Sequence, residues 1–323
     1  MSEIDKLEKI TIQTRRDILR MVHKVNSGHP GGSLGCSEFL VTLFNKIMKR
    51  KDNFSMDGMH EDLFFLSNGH ISPVFYSVLA RCGYFDIDEL NTFRLIDSRL
   101  QGHPTTHEGL PGVRISSGSL GQGLSVAIGA ALSKKLNDDP SIVYCLMGDG
   151  ELQEGQNWEA IMYASAKKVD NIIAVIDLNG QQIDGSTEDV LNMGNLNSKL
   201  NSFGWKVIEI DNGNDIQSII EGMDQAKNNL FSNKPAVHNE VLKGTSSGGM
   251  VINDCVIHHM NPNLPFGGIN NSGVGSYHGK YGFDAFSHHK AVLKSSSISP
   301  FKVMLPPYTK TKEALANLIK KYF

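Results

Sequence analysis

Asp149 and Asn179 stand out first, because each closes a run of apolar residues that reads as a buried strand. The run "SIVYCLMGD" (141–149) leads into Gly148-Asp149-Gly150, and "NIIAVIDLN" (171–179) ends on Asn179, 30 positions after Asp149. A hard divalent cation such as Mg²⁺ takes about six oxygen ligands and is usually shared with substrate phosphates. The Asp149 carboxylate, the Asn179 amide oxygen and one backbone carbonyl are three such oxygens. Two diphosphate oxygens and a water would complete the octahedron. Gly148 and Gly150 let a ligand approach the backbone closely. Asp-Gly and Asn-Gly are also ordinary turn dipeptides, so Gly-Asp-Gly alone reads as a turn. Two such turns, each closing an apolar run, make a candidate metal and diphosphate site.

The elements that must hold this site follow a regular order. Besides the two runs above, "DLFFLS" (62–67) and "WKVIEID" (205–211) read as buried strands. Between the strands, residues 121–136, 157–168 and 215–230 have helical spacing. Strand–helix alternation with nearly all-apolar strands predicts an α/β fold, a parallel sheet covered by helices on both faces. Ligands in such folds bind beyond the carboxyl ends of the strands, where Asp149 and Asn179 fall. After about residue 235 the text becomes rich in Gly, Asn, Ser and His, and helical spacing returns only near the end. A short irregular α+β tail is expected there.

Composition narrows the function classes. The 323 residues are enough for two domains, and 40 % are hydrophobic. A formal net charge of −3 gives no basic footprint for nucleic acid. Cys36, Cys82, Cys145 and Cys255 form no CxxC pair, which fits reduced thiols better than disulfides or zinc. No apolar run reaches membrane-spanning length and no signal peptide is evident. A cytoplasmic protein that binds neither nucleic acid nor membrane is expected.

Longer motifs carry a family resemblance over residues 1 to about 236. "NSGHPGGSLG" (26–35), "LSNGHISPVFYSVL" (66–79), "GHPTTHEGLPGVRISSGSLGQGLSVAIGAAL" (102–132), Gly148-Asp149-Gly150 and Asn179 in "IDLNGQQIDGST" occur in order. Together they resemble the N-terminal, thiamine diphosphate-binding half of transketolase, in the style of those made as two separate half-length subunits. The resemblance implies two-carbon ketol transfer between sugar phosphates, with thiamine diphosphate and Mg²⁺. It implies Asp149, Asn179 and the Gln181 carbonyl as metal ligands. Gly150 would meet the diphosphate through its N–H, and Gly118 and Leu120 the aminopyrimidine side. Glu154 would join the polar network near the cofactor. His29, His70 and His103 match active-site histidines, with His70 also near the cofactor. Imidazole titrates near neutrality, which suits proton movement at hydroxyl and carbonyl oxygens. His107 reads as a loop residue near the mouth.

The resemblance also implies a partner. A separate C-terminal, pyrimidine-binding subunit would supply the glutamate that activates the aminopyrimidine, so a hetero-oligomer is expected and the single chain is expected to be incomplete. From about 237 to 323 the text resembles instead the extreme C-terminus of aldehyde dehydrogenases of the fatty and aromatic class, carried by "PFGGINNSGVGSYHGKYGFDAFSHHK" (265–290). That family's nucleophilic cysteine and nucleotide-binding domain have no counterpart here, and Cys255 reads as a packing residue. Val251, Ile252, Val256, Ile257, Phe266 and Phe283 would lack their usual cover. His278 is not assigned to the site. Deoxyxylulose-phosphate synthase and 2-oxo acid dehydrogenase are the other thiamine-dependent readings. An aldehyde dehydrogenase-related protein and a catalytically inactive fusion are the readings from other classes.

Overall fold

The structure is a computed structural model that describes residues 2–230 and, beyond them, only Lys310 and Ala314. The chain divides into two units, Met1–Gly244 and Thr245–Phe323, and the fold below lies in the first. The expectations placed on 237–323 fall outside the described residues.

Three of the expected strands form one parallel sheet in the order β1 (Leu63–Leu66), β2 (Val143–Gly148), β3 (Ile172–Asp177). The register sets Leu63 beside Val143 and Val143 beside Ile172, and it ends with Gly148 beside Asp177. The three carboxyl ends therefore share one rim. Phe64, Leu66, Tyr144, Leu146 and Ile173 enter one core, and Leu63, Phe65, Val143, Cys145, Met147 and Ile172 enter the other. This is the period of two that a strand imposes, and it explains why the strands are apolar throughout.

The helices, in chain order, are α1 (Glu3–Val25), α2 (Pro30–Gly35), α3 (Ser37–Thr42), α4 (Ser72–Arg81), α5 (Gly123–Leu136), α6 (Gly155–Ala166), α7 (Thr187–Leu191), α8 (Leu196–Ser202) and α9 (Ile216–Lys227). Residues of α1, α3, α4 and α9 cover the first face, and residues of α5, α6 and α8 the second. Local chemistry fixes the ends of α1. Ser2 Oγ accepts from Asp5 N at 3.1 Å, the Asp5 carboxylate accepts from Ser2 N at 2.7 Å, and Asn26 closes the helix at φ 47°. Prolines sit in the first turns of α2 and α4, where the missing N–H costs nothing.

The fourth expected strand, 205–211, is not a strand among the described residues. Its Trp205 Nε1 donates to the Ile161 carbonyl at 2.9 Å, and Trp205 and Val207 pack on the second core. Side-chain burial accounts for the apolar spacing without ladder hydrogen bonds.

Candidate functional site

The rim has two corners. At the first, Asp149 is 3 % exposed, although it is charged. Its Oδ1 accepts from Gly150 N at 2.8 Å and its Oδ2 from Gly180 N at 2.6 Å. Burial pushes its carboxyl up, the two N–H groups oppose this, and the nearby Asp177 adds to the rise. Such a carboxylate is suited to a cation, which would relieve the cost of its burial. Asn179 lies on the next loop, joined to Asp149 through Gly180. Its Nδ2 donates to Asp177 Oδ2 at 2.9 Å, and its Oδ1 accepts from Gln181 N at 2.8 Å, an Asx turn. A carbonyl oxygen has two lone pairs, so this turn leaves Asn179 Oδ1 able to meet a cation. Gln181 opens a two-stranded antiparallel hairpin, β4 (Gln181–Gln182) with β5 (Gly185–Ser186). The structure thus brings Asp149, Asn179 and Gln181 together. The Gly150 N–H, expected to face a diphosphate, is here committed to Asp149.

The second corner holds the histidines. His29 precedes α2, His70 lies in the single turn Gly69–Ile71 after β1, and His103 lies in the loop before Pro104. The His29 and His70 rings meet edge to face, with centroids 5.3 Å apart. His103 is exposed but close enough to act electrostatically on His70. Gly118 has φ +122°, and a Cβ there would lie 2.7 Å from the His103 ring. A Cβ on Gly69 would lie 2.5 Å from Ser117 Oγ and 2.7 Å from Gly118 N. Only glycine at both positions lets the 117–118 backbone lie between the two histidine turns.

All three imidazoles are pushed below their ordinary value of 6.5, with burial the largest cause. Arg94 contributes at His29 and His103. His29 and His103 contribute at His70, where Asp177 opposes them. The shifts favour the neutral imidazole, which can accept a proton at one nitrogen and donate from the other. His107 is exposed and its N–H donates to Thr105 Oγ1 at 3.2 Å, a loop residue as expected.

Glu151 joins the corners, and sequence reasoning missed it. It is 2 % exposed and accepts from Ser67 Oγ, from Gly121 N at 2.9 Å and from Gly148 N at 3.1 Å. It thereby ties the end of β1, the Gly118–Gly121 loop and the end of β2 to one carboxylate. Glu154, the acid expected in this network, is exposed, with its Cβ 2.7 Å from where a Gly121 Cβ would stand. Leu120 is half-buried in the same loop. Asp177 was also missed, though it stands two residues before Asn179. It lies near the buried Cys36 thiol, whose titration is pushed up first by burial and then by this acid.

The residues on the rim fit a polar, anionic ligand held through a cation. Asn68 Oδ1 and Ser117 Oγ are buried there without a hydrogen-bond partner, and buried polar atoms are normally paired. Two cavities among the described residues, of about 180 and 330 Å³, lie elsewhere, one beside Asp17, Arg81 and Phe93 and one in the 89–99 loop.

The family model described as transketolase, thiamine diphosphate binding domain, matches residues 8–258. The chain belongs to this family. The match runs across the boundary expected at 236 and covers the whole described rim. Thiamine diphosphate is the cofactor of this transketolase domain, and Mg²⁺ is the family's usual metal. Among curated relatives, one subunit of the apulose-4-phosphate transketolase of Actinobacillus succinogenes is 38 % identical over 247 residues, covering 76 % of this chain and 86 % of its own. One subunit of the 6-deoxy-6-sulfo-D-fructose transketolase of a Clostridium species is 36 % identical over 225 residues, covering 68 % of this chain and 81 % of its own. Solved structures agree. Campylobacter jejuni transketolase superposes with a TM-score of 0.65 at 33 % identity, over 73 % of this chain and 37 % of that one. Transketolase from Pichia stipitis with sedoheptulose 7-phosphate gives 0.66 at 32 % identity, over 72 % and 35 %. The transketolase-like chain thus spans most of the subunit relatives but about a third of the solved enzymes.

Proposed function

We propose that this chain is the thiamine diphosphate-binding subunit of a two-subunit transketolase, transferring a two-carbon ketol unit between sugar phosphates. The observation that carries the reading is that a buried acid, Asp149, and three histidines, His29, His70 and His103, stand along one rim. Asp149, Asn179 and the Gln181 carbonyl are the residues to hold Mg²⁺. Gly118, Leu120, Gly150, Glu154 and His70 are those to meet the cofactor. When bound, thiamine diphosphate supplies the carbanion stabilisation. His29, His70 and His103 bind and orient the hydroxyl and carbonyl oxygens of the sugar and take or return protons there.

The activity belongs to a site shared with a second chain. The relatives named as transketolase subunits are of this chain's length class, which supports a separate subunit carrying the pyrimidine-binding half. The sugar phosphates come from the same proposal. A cytoplasmic location fits the absence, among the described residues, of any helix long and apolar enough to cross a membrane. The aldehyde dehydrogenase likeness of 237–323 rests on the sequence alone. Calorimetry of the folded chain with thiamine diphosphate plus Mg²⁺, against NAD, tests the reading. Heat is expected with the first ligand and none with the second. A folded chain that binds NAD, or that fails to bind thiamine diphosphate, contradicts it.

A further inference from the structure

Arg94 stands between the two outer histidine loops. Its Nη1 donates to Ser27 Oγ at 2.6 Å, two residues before His29. On the other side its guanidinium packs on Gly102, the residue before His103. A Cβ there would lie 2.7 Å from Nε and Nη2. The preceding Phe93 is 1 % exposed, and its ring lies 3.7 Å from where a Gly28 Cβ would stand. Arg94 adopts φ +57°, a region that residues other than glycine enter uncommonly, and its N–H donates to the Leu100 carbonyl at 2.9 Å. A local backbone cost is thus sustained where the side chain reaches both loops.

We propose that Arg94 is a positioning residue for His29 and His103, bracing their two loops and fixing a positive charge beside both imidazoles. The proposal deepens the reading of the same rim and rests on it for its catalytic meaning. The charged groups facing the trio divide unevenly. Arg94 acts on His29 and His103, His29 acts on both of its fellow histidines, and His103 and Asp177 act on His70. Arg94 therefore keeps the two outer histidines as proton acceptors, while His70 answers to its histidine neighbours and to an acid. Lysine cannot substitute fully. Its ammonium is a point charge, whereas the planar guanidinium donates to Ser27 while its face and edge fill the space over Gly102.

The test uses the full chain without cofactor, so it is separable from the binding reading. Imidazole titrations are followed by NMR on ¹⁵N-histidine-labelled protein, with His29→Gln and His103→Gln giving the assignments. In Arg94→Met the midpoints of His29 and His103 should rise, and by more than that of His70. Arg94→Lys should restore them in large part. Ser27→Ala, which keeps the charge but removes its anchor, should move them the same way by less. Unchanged midpoints in Arg94→Met overturn the proposal, as does an equal rise in Arg94→Lys. If Arg94→Met does not fold, wild-type midpoints in Ser27→Ala overturn it. Calorimetry with thiamine diphosphate, run separately, reports on the cofactor reading alone.

Discussion

The two corners of the rim are built from opposite materials. At the Asp149 corner, side chains are fixed by backbone N–H groups, one at each carboxylate oxygen, and the local charge is negative. At the histidine corner, rings are placed by edge contact and by glycines that leave room for them, and the cation beside them is Arg94. The difference divides the labour. A carboxylate that is buried and raised gains most from a metal ion, whereas imidazoles pushed down by partial desolvation and a neighbouring cation favour their neutral form. Asp177 touches both corners, through Asn179 on one side and the field at His70 on the other.

Removing the acid should separate the corners most sharply. Asp149→Ala should weaken Mg²⁺-dependent thiamine diphosphate binding by at least about 100-fold, as read by calorimetry, while the histidine titrations stay near wild type. Glu151→Ala should damage both corners at once. It strands the Ser67 hydroxyl and the Gly121 and Gly148 N–H groups, at a cost of about 3 kcal/mol in urea unfolding. Glu151→Gln, which keeps an acceptor, should cost less.

These residues also mark what the sequence made legible. β1, β2 and β3 are readable because burial on both faces leaves almost only apolar positions before the strand ends. Asp149 and Asn179 were readable because they close such runs, and the histidines because whole motifs surround them. Glu151 was hidden because Ser67 and Gly121 are far off in the chain, and an acid in a Gly-Asp-Gly-Glu turn reads as exposed. Glu154, the acid that the family resemblance places in this network, is exposed. Arg94 is hidden in the sequence for the same reason, since its partners Ser27 and Gly102 come from separate segments. The 205–211 run misled because packing on a core and pairing in a sheet leave the same apolar spacing.

Smaller effects test the histidine corner alone. Gly118→Ala should cost about tenfold in cofactor affinity, through a strained φ of +122° and a clash with His103. The lowered histidines also set a pH dependence. An imidazole with a depressed folded value takes its proton more readily when unfolded. Stability should therefore fall as pH drops through the ordinary value of 6.5, and level off below the folded values. His70→Gln should flatten that limb in denaturant unfolding. Smallest of all, His103→Gln should change Mg²⁺-dependent cofactor affinity by less than about threefold, because the ring lies at the corner that handles protons.

A crystal structure of the full chain soaked with thiamine diphosphate and Mg²⁺ tests the central claim most directly. The account predicts one metal ion about 2.1 Å from Asp149, Asn179 and the Gln181 carbonyl, with the diphosphate on it and the three histidines facing the cofactor's reactive end. A metal bound without Asp149, or a cofactor seated away from the β2–β3 rim, would contradict it.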